Sequence, residues 1–95
     1  MSYKKREYFG IISQILESVM DTPLKKTGIS YRTRLDNRLT SQYLRLMEDV
    51  ELVKKSDFDE SMYAITPKGV DFRNRLDEII AMLDLPEESL MCQLD

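Results

Sequence analysis

The sequence contains no histidine and only one cysteine, Cys92, among its 95 residues. The lack of histidine excludes a histidine-containing metal site and a Ser-His or Cys-His catalytic pair, and a single cysteine excludes a disulfide within the chain. The carboxylate pairs Glu48-Asp49 and Glu87-Glu88 are adjacent in sequence, and no nucleophile–base arrangement accompanies them. We therefore expect no catalytic residues, no metal site and no cofactor, and we predict that the protein is not an enzyme.

Long hydrophobic runs are also absent. Neither a secretory signal nor a membrane-spanning segment is predicted, and a lone thiol is typical of a reduced intracellular protein. We expect a cytoplasmic protein with no membrane partner. The length fits one domain with a modest core, and it argues against a large enzyme with a buried cleft.

Acidic residues outnumber basic ones, and the net charge is −3. The charge is divided unevenly, because residues 1–58 carry a net charge of +3 and residues 59–95 a net charge of −6. Residues 22–47 contain six basic residues and a single acidic one, Asp36. Such asymmetry indicates a basic binding face on an otherwise acidic chain.

Residues 36–50 are predicted to form an amphipathic helix, with Asp36 as its N-cap. Its apolar stripe consists of Leu39, Tyr43, Leu46, Met47 and Val50. Its polar face consists of Asn37, Arg38, Ser41, Gln42 and Arg45, whose side chains can donate hydrogen bonds to phosphates and base edges. We interpret the segment as the recognition helix of a helix-turn-helix. The alternative is an ordinary helix with a solvated polar face.

The flanking segments favour the first interpretation. Apolar residues at helical spacing predict a first helix over residues 5–20, and residues 24–34 predict a shorter second helix that offers Leu24, Ile29 and Leu35 to the core. Residues 52–55 and 62–65 alternate with a period of two and predict a β-hairpin. The expected fold is mostly α with a small β-hairpin (α+β). Three helices followed by a hairpin is the order of a winged helix-turn-helix, which we place at residues 1–66.

A long C-terminal helix is predicted over residues 67–85, with Thr66 as N-cap and Pro67 at the first helical position. Its apolar residues follow the spacing of a short coiled-coil seam: Phe72, Leu76, Ile79, Ile80 and Leu83. This pattern favours a homodimer through the helix, whereas the alternative is packing of the same stripe on the chain's own first helix. Residues 86–95 are predicted to form an acidic tail.

Several short motifs recur in the same order as in a known protein family. They are Pro23-Leu24-Lys25-Lys26-Thr27, Ile29-Ser30-Tyr31-Arg32, Leu35, Tyr43-Leu44, Leu52-Val53, Tyr63-Ala64-Ile65-Thr66 and Lys68-Gly69. In these motifs the chain resembles the small archaeal winged-helix DNA-binding proteins over about residues 8–80. The family comprises transcription regulators and chromatin-associated proteins that are typically homodimers joined by the C-terminal helix. The resemblance implies double-stranded DNA binding without catalysis.

Site residues follow from the resemblance. It implies that the polar face of helix 36–50 reads bases and that phosphates are held by Lys25, Lys26, Arg32 and Arg34. The hairpin tip carries Asp57, Asp59 and Glu60 where a DNA-contacting wing usually presents basic residues, so we expect any wing contact from Lys54 or Lys55. Thr40 occupies a position where an aliphatic residue is expected.

The unusual residues at the hairpin tip leave a second class of function open. The acidic hairpin tip and the negative net charge favour a winged helix that serves as a protein-interaction module without touching DNA. Nothing in the sequence indicates a small-molecule ligand.

Overall fold

The computed structural model describes the backbone of residues 2–83, with side chains described for residues 8–79, 81 and 82. Seven elements follow one another along the chain: α1 (Ser2–Ser18), β1 (Leu24–Lys25), α2 (Lys26–Thr33), α3 (Asn37–Asp49), β2 (Val53–Lys55), β3 (Met62–Ile65) and α4 (Pro67–Leu83). Residues 84–95, which include the predicted tail and Cys92, lie outside the described residues. None of the described helices is long and apolar enough to span a bilayer.

The hairpin prediction is confirmed, and the sheet contains a strand that the sequence analysis missed. β2 pairs with β3, and β1 pairs with the other edge of β3 through Leu24 opposite Tyr63 and Lys25 opposite Met62, all antiparallel. The prediction of helix for residues 24 and 25 was therefore wrong. In the extended conformation their backbone groups pair with β3. We call β2, β3 and the connecting residues 56–61 the wing.

The core lies where α1, α2, α3 and the start of β2 meet. Its buried apolar residues are Ile12, Ile15, Leu16, Val19, Ile29, Leu44, Met47, Leu52 and Val53. The spacing of three and four along α1 places its buried residues on one face of that helix, as predicted. Of the three residues that the sequence offered from the second helix, Ile29 is fully buried, while Leu24 and Leu35 pack against the core edge.

α4 begins in close contact with the segment that joins α3 to β2. Thr66 caps the helix, because its Oγ1 accepts a hydrogen bond from the N–H of Gly69 at 2.9 Å, and its own hydroxyl donates to the carbonyl of Glu51 at 2.5 Å. A Cβ at position 69 would lie 2.7 Å from Cγ1 of Ile65 and closer still to the carbonyl oxygen of Leu52. Glycine is required here because the helix backbone approaches the Leu52 backbone directly.

We predict that Gly69→Ala lowers the free energy of unfolding by about 1–3 kcal/mol, because the added methyl group must displace backbone. Gly10→Ala is the matched control. Gly10 also lies inside a helix, but beyond its neighbours in the helix backbone no described atom lies within 4 Å of the position that its Cβ would take, so this change should raise stability by about 0.5–1 kcal/mol. Urea unfolding of both variants measures the difference. Equal effects of the two substitutions would show that the contact at Leu52 is not a constraint.

Candidate nucleic-acid interface

α3 begins as the sequence predicts. Asp36 adopts an extended backbone conformation, and its carboxylate accepts a hydrogen bond from the N–H of Leu39 at 2.7 Å. This N-cap satisfies one of the free donors at the helix start. The predicted helix over residues 36–50 is confirmed to within one residue at each end.

The rotation of α3 differs from the prediction. Its buried residues are Thr40, Leu44 and Met47, whereas Leu39, Tyr43 and Leu46 of the predicted stripe are only half-buried. Val50, which was also assigned to the core face, is 42% exposed. The buried line is displaced by one residue from the predicted stripe, with Met47 common to both.

A pair of buried hydroxyls explains this rotation. Ser30 Oγ on α2 donates a hydrogen bond to Thr40 Oγ1 on α3 at 2.9 Å, and Thr40 Oγ1 donates to the carbonyl of Asp36 at 2.8 Å. Thr40 can occupy the core face because its hydroxyl both accepts and donates a hydrogen bond there. Among the described residues, no buried side-chain polar atom lacks a hydrogen-bond partner. The link therefore holds α2 and α3 together at the site where the sequence favoured an aliphatic contact.

The turn between α2 and α3 lacks glycine, and an arginine takes the conformation that glycine usually supplies. Arg34 lies in the left-handed region, with φ 61° and ψ 29°, and its backbone N–H donates to the carbonyl of Ser30. The N–H of Leu35 donates to the same carbonyl at 3.2 Å. The chain thus reverses within three residues, and the side chain of Arg34 is left exposed to solvent.

The outward face of α3 carries most of the predicted base-reading residues. Arg38, Gln42 and Arg45 are exposed and lie at spacings of four and three, on the side opposite the buried line. Asn37 is exposed and Ser41 is half-buried, and these two form a neighbouring line on one flank. The structure therefore brings all five onto adjoining lines of the same helix.

The basic residues of the helix-turn-helix stand apart from the acidic residues. Within the described part of the chain, no carboxylate oxygen lies within 4.0 Å of the cationic groups of Lys25, Lys26, Arg32, Arg34, Arg38 or Arg45. Apart from Lys25, whose charge also acts on the carboxylate of Asp59, these cations are therefore available to an external anion. These basic residues belong to one short segment, residues 25–45, which folds around the turn between α2 and α3.

The described basic residues outside this region are engaged within the chain. Lys54 lies 3.6 Å from Asp57, Lys55 is 5.2 Å from the ring centroid of Tyr63, and Lys68 donates to the carbonyl of Val50 at 2.8 Å. On α4, Arg75 pairs with Asp71 at 2.9 Å, and Arg73 pairs with Glu17 of α1. Contact of Lys54 or Lys55 with DNA would have to compete with these interactions.

The wing tip is negatively charged and presents an aromatic side chain. Two hydrogen bonds from Ser61, one from its hydroxyl and one from its backbone N–H, lower the pKa of Asp59, and the positive charge of Lys25 adds to the effect. Asp59 is consequently ionised at neutral pH. Asp57 and Glu60 are also exposed, and Phe58 between them is 97% exposed.

The predicted dimerisation residues do not share one environment. Phe72 packs against the chain's own core, and Leu76 is half-buried. Ile79 is 54% exposed, and Met82, which the sequence analysis did not assign, is 83% exposed. The side chains of Ile80 and Leu83 lie outside the described side chains. The first part of α4 therefore packs within the chain, and its later part presents apolar surface to solvent.

The sequence analysis did not assign Tyr31 to the site. Its side chain is 85% exposed and lies between Ser30 and Arg32 on α2. The sequence could have indicated an exposed Tyr31, because this residue does not share the helical spacing of the core residues of α2 and is next to a basic residue.

Comparison with known proteins yields three findings. The profile of a winged helix-turn-helix family matches residues 5–84. An uncharacterized protein of the archaeon Methanocaldococcus jannaschii is 33% identical over 79 residues, which cover 83% of this chain and 36% of that protein, so the chain spans about a third of the relative's length. The structure of a protein of unknown function from Listeria innocua superposes with a TM-score of 0.66 at 16% identity, over 88% of this chain and 66% of that one. The last similarity concerns the fold alone.

The buried hydroxyl pair generates a prediction. Thr40→Val should lower the free energy of unfolding by about 1–3 kcal/mol, because the Ser30 hydroxyl loses its partner on α3. The double variant Ser30→Ala/Thr40→Val should be destabilised by at least about 0.5 kcal/mol less than the sum of the single variants. Ser18→Ala, which removes a buried hydroxyl that bonds only within α1, is the control and should be additive with Thr40→Val. Additivity of the Ser30 and Thr40 changes in urea unfolding would contradict the coupling.

Proposed function

Since the chain belongs to the winged helix-turn-helix family, we propose that it is a regulator of transcription that binds double-stranded DNA with α3 in the major groove. One observation carries this proposal. The described cations outside the helix-turn-helix are engaged within the chain, whereas none of the six within it forms a salt bridge with a described carboxylate. On an evenly solvated surface, paired and unpaired cations would not be separated between two parts of the fold.

Binding proceeds in two stages in this proposal. Lys25, Lys26, Arg32 and Arg34 displace counterions from the phosphate backbone, which supplies salt-dependent affinity without sequence preference. α3 then enters the groove, where Arg38 or Arg45 can donate two hydrogen bonds to a guanine and Asn37 or Gln42 can pair with an adenine. Ser41 donates to either base or to phosphate. No step requires a catalytic group, a metal or a cofactor, and we propose that the chain is not an enzyme.

We further propose that the chain acts as a homodimer through a C-terminal dimerisation helix at residues 67–85, of which the structure describes Pro67–Leu83 as α4. The exposed apolar side chain of Ile79 supports this arrangement, because it continues the line of Phe72 and Leu76 beyond the region that packs on the chain's own core. The exposed side chain of Met82 adds apolar surface to the same end of the helix. Two recognition helices would then meet half-sites about one helical turn apart on a nearly palindromic site.

A protein-interaction module is the second candidate function. The observation that favours it is the wing tip, where Phe58 is 97% exposed between acidic residues that repel phosphate. In that case the same fold would contact a protein partner and not DNA.

We predict that Arg38→Ala weakens binding to a preferred duplex by about 1–3 kcal/mol and relaxes the sequence preference at one base pair, because a guanine contact is lost. Fluorescence anisotropy of labelled duplexes at several salt concentrations measures both effects. Arg75→Ala is the matched control, since Arg75 is an exposed arginine already paired with Asp71. Failure of the wild type to bind any duplex at low salt would refute the DNA proposal and favour the protein-interaction module.

We predict that Ile79→Lys converts the dimer into a monomer, because an ammonium group would be buried in the apolar seam. Sedimentation velocity measures the change in mass. Asn74→Lys adds the same charge at an exposed position of α4 away from the seam and should leave the dimer intact. A monomeric wild type at micromolar concentration would contradict the proposed dimer.

A further inference from the structure

The turn between α2 and α3 forms an open cavity of about 690 Å³. It is lined by Ser30, Tyr31, Arg32, Arg34, Leu35 and Asp36. The lining combines one exposed aromatic ring with two guanidinium groups that have no acidic partner among the described residues. Tyr31, Arg32 and Arg34 do not contribute to the core, because the buried residues of α2 are Ile29 and Ser30.

The position of the ring limits what it can bind. Tyr31 is 85% exposed, and the ring contacts found among the described residues involve Tyr8, Phe9, Tyr43 and Tyr63 and not Tyr31. Its faces are therefore open to a flat ligand. In a DNA duplex the bases are stacked on one another and present only their edges, so a duplex leaves such a ring without a stacking partner.

The guanidinium groups sit on a turn whose backbone is fixed. Two backbone N–H groups, those of Arg34 and Leu35, donate to the carbonyl of Ser30, and Arg34 is held in the left-handed region at φ 61°. A non-glycine residue in that conformation costs free energy. The fixed backbone holds the side chain of Arg34 at the cavity, where it is part of the lining.

We propose that this cavity binds one unstacked nucleotide of a single-stranded nucleic acid. The base stacks on Tyr31, and the adjoining phosphate accepts hydrogen bonds from Arg32 and Arg34. A positively charged groove with an aromatic platform is the chemistry that binds single strands without reading sequence. This activity goes beyond the proposed duplex binding. Arg32 and Arg34 hold phosphate in both, but the single strand is recognised by the ring of Tyr31, whereas the duplex is read by Arg38, Gln42 and Arg45 of α3.

The test compares labelled oligo-dT of about 12 nucleotides with a duplex of the same length, at one salt concentration, by fluorescence anisotropy. Tyr31→Ala should weaken oligo-dT binding about tenfold and change duplex binding by less than about twofold, since stacking is lost only from the single strand. Tyr31→Phe keeps a ring and should bind oligo-dT like the wild type. Phe58→Ala removes a similarly exposed aromatic ring from the acidic wing tip and should have no effect.

Three results would overturn the inference. They are no oligo-dT binding by the wild type, unchanged oligo-dT binding by Tyr31→Ala, or equal losses of single-strand and duplex binding in that variant. Because Tyr31 is exposed, its truncation should leave the fold intact, and circular dichroism of the variant checks this. An oligomer of abasic sites supplies phosphates without bases, and its binding should not depend on Tyr31. A parallel titration with oligo-U distinguishes RNA from DNA, and Tyr31-dependent binding of either strand supports the inference.

Failure of this inference and failure of the proposed function give different results. The variant Arg38→Ala/Arg45→Ala should lose duplex binding and keep oligo-dT binding. A wild type that binds oligo-dT through Tyr31 but binds no duplex would refute the duplex proposal and leave the single-strand site standing. A wild type that binds duplex but not oligo-dT would do the reverse.

Discussion

The arrangement of the helix-turn-helix depends on one buried interaction, the hydrogen bond between the hydroxyls of Ser30 and Thr40 at 2.9 Å. The Thr40 hydroxyl in turn donates a hydrogen bond to the carbonyl of Asp36, the residue that caps α3. Because unsatisfied hydroxyls are costly in a core, only a narrow range of rotations of α3 satisfies both groups. That rotation turns Arg38, Gln42 and Arg45 outward. A polar contact inside the core thus determines which side chains face a ligand.

The net charge of −3 does not describe the charge around the turn between α2 and α3, because the ion pairs are distributed unevenly. In the described part of the chain, acidic side chains neutralise Lys54, Arg73 and Arg75, whereas the cations around the turn have no such partner. Exposed charges are screened within about 10 Å at ordinary salt, so a nearby phosphate responds to the local group of cations more than to the total charge. An acidic protein can therefore present a basic face.

In the proposed dimer, α4 has two roles that its sequence does not separate. Its start is fixed by the Thr66 cap, by the close approach of Gly69 to Leu52, and by Arg73 pairing with Glu17 on α1. These contacts make the first turns part of the domain. Beyond them Ile79 and Met82 remain exposed on the same helix. If the proposed homodimer forms through the exposed end, the anchored end fixes each domain relative to the other, which is what a fixed spacing between two recognition helices requires.

The sequence by itself determined the elements whose signals are local. The helical spacing in α1, the Asp36 and Thr66 caps, the proline at the start of α4 and the alternation in β2 and β3 each depend on neighbouring residues, and the structure agrees with them. The tertiary structure alone decided β1, whose two residues pair with a strand distant in sequence, and the rotation of α3, which depends on a hydroxyl of another helix. It also decided that Lys54 and Lys55 are engaged and that Tyr31 stands open beside two arginines. Periodicity indicates which residues of one segment share a face, but not which other segment packs against that face. The pairing of β1, the rotation of α3 and the contacts of Lys54 and Lys55 all depend on that second segment.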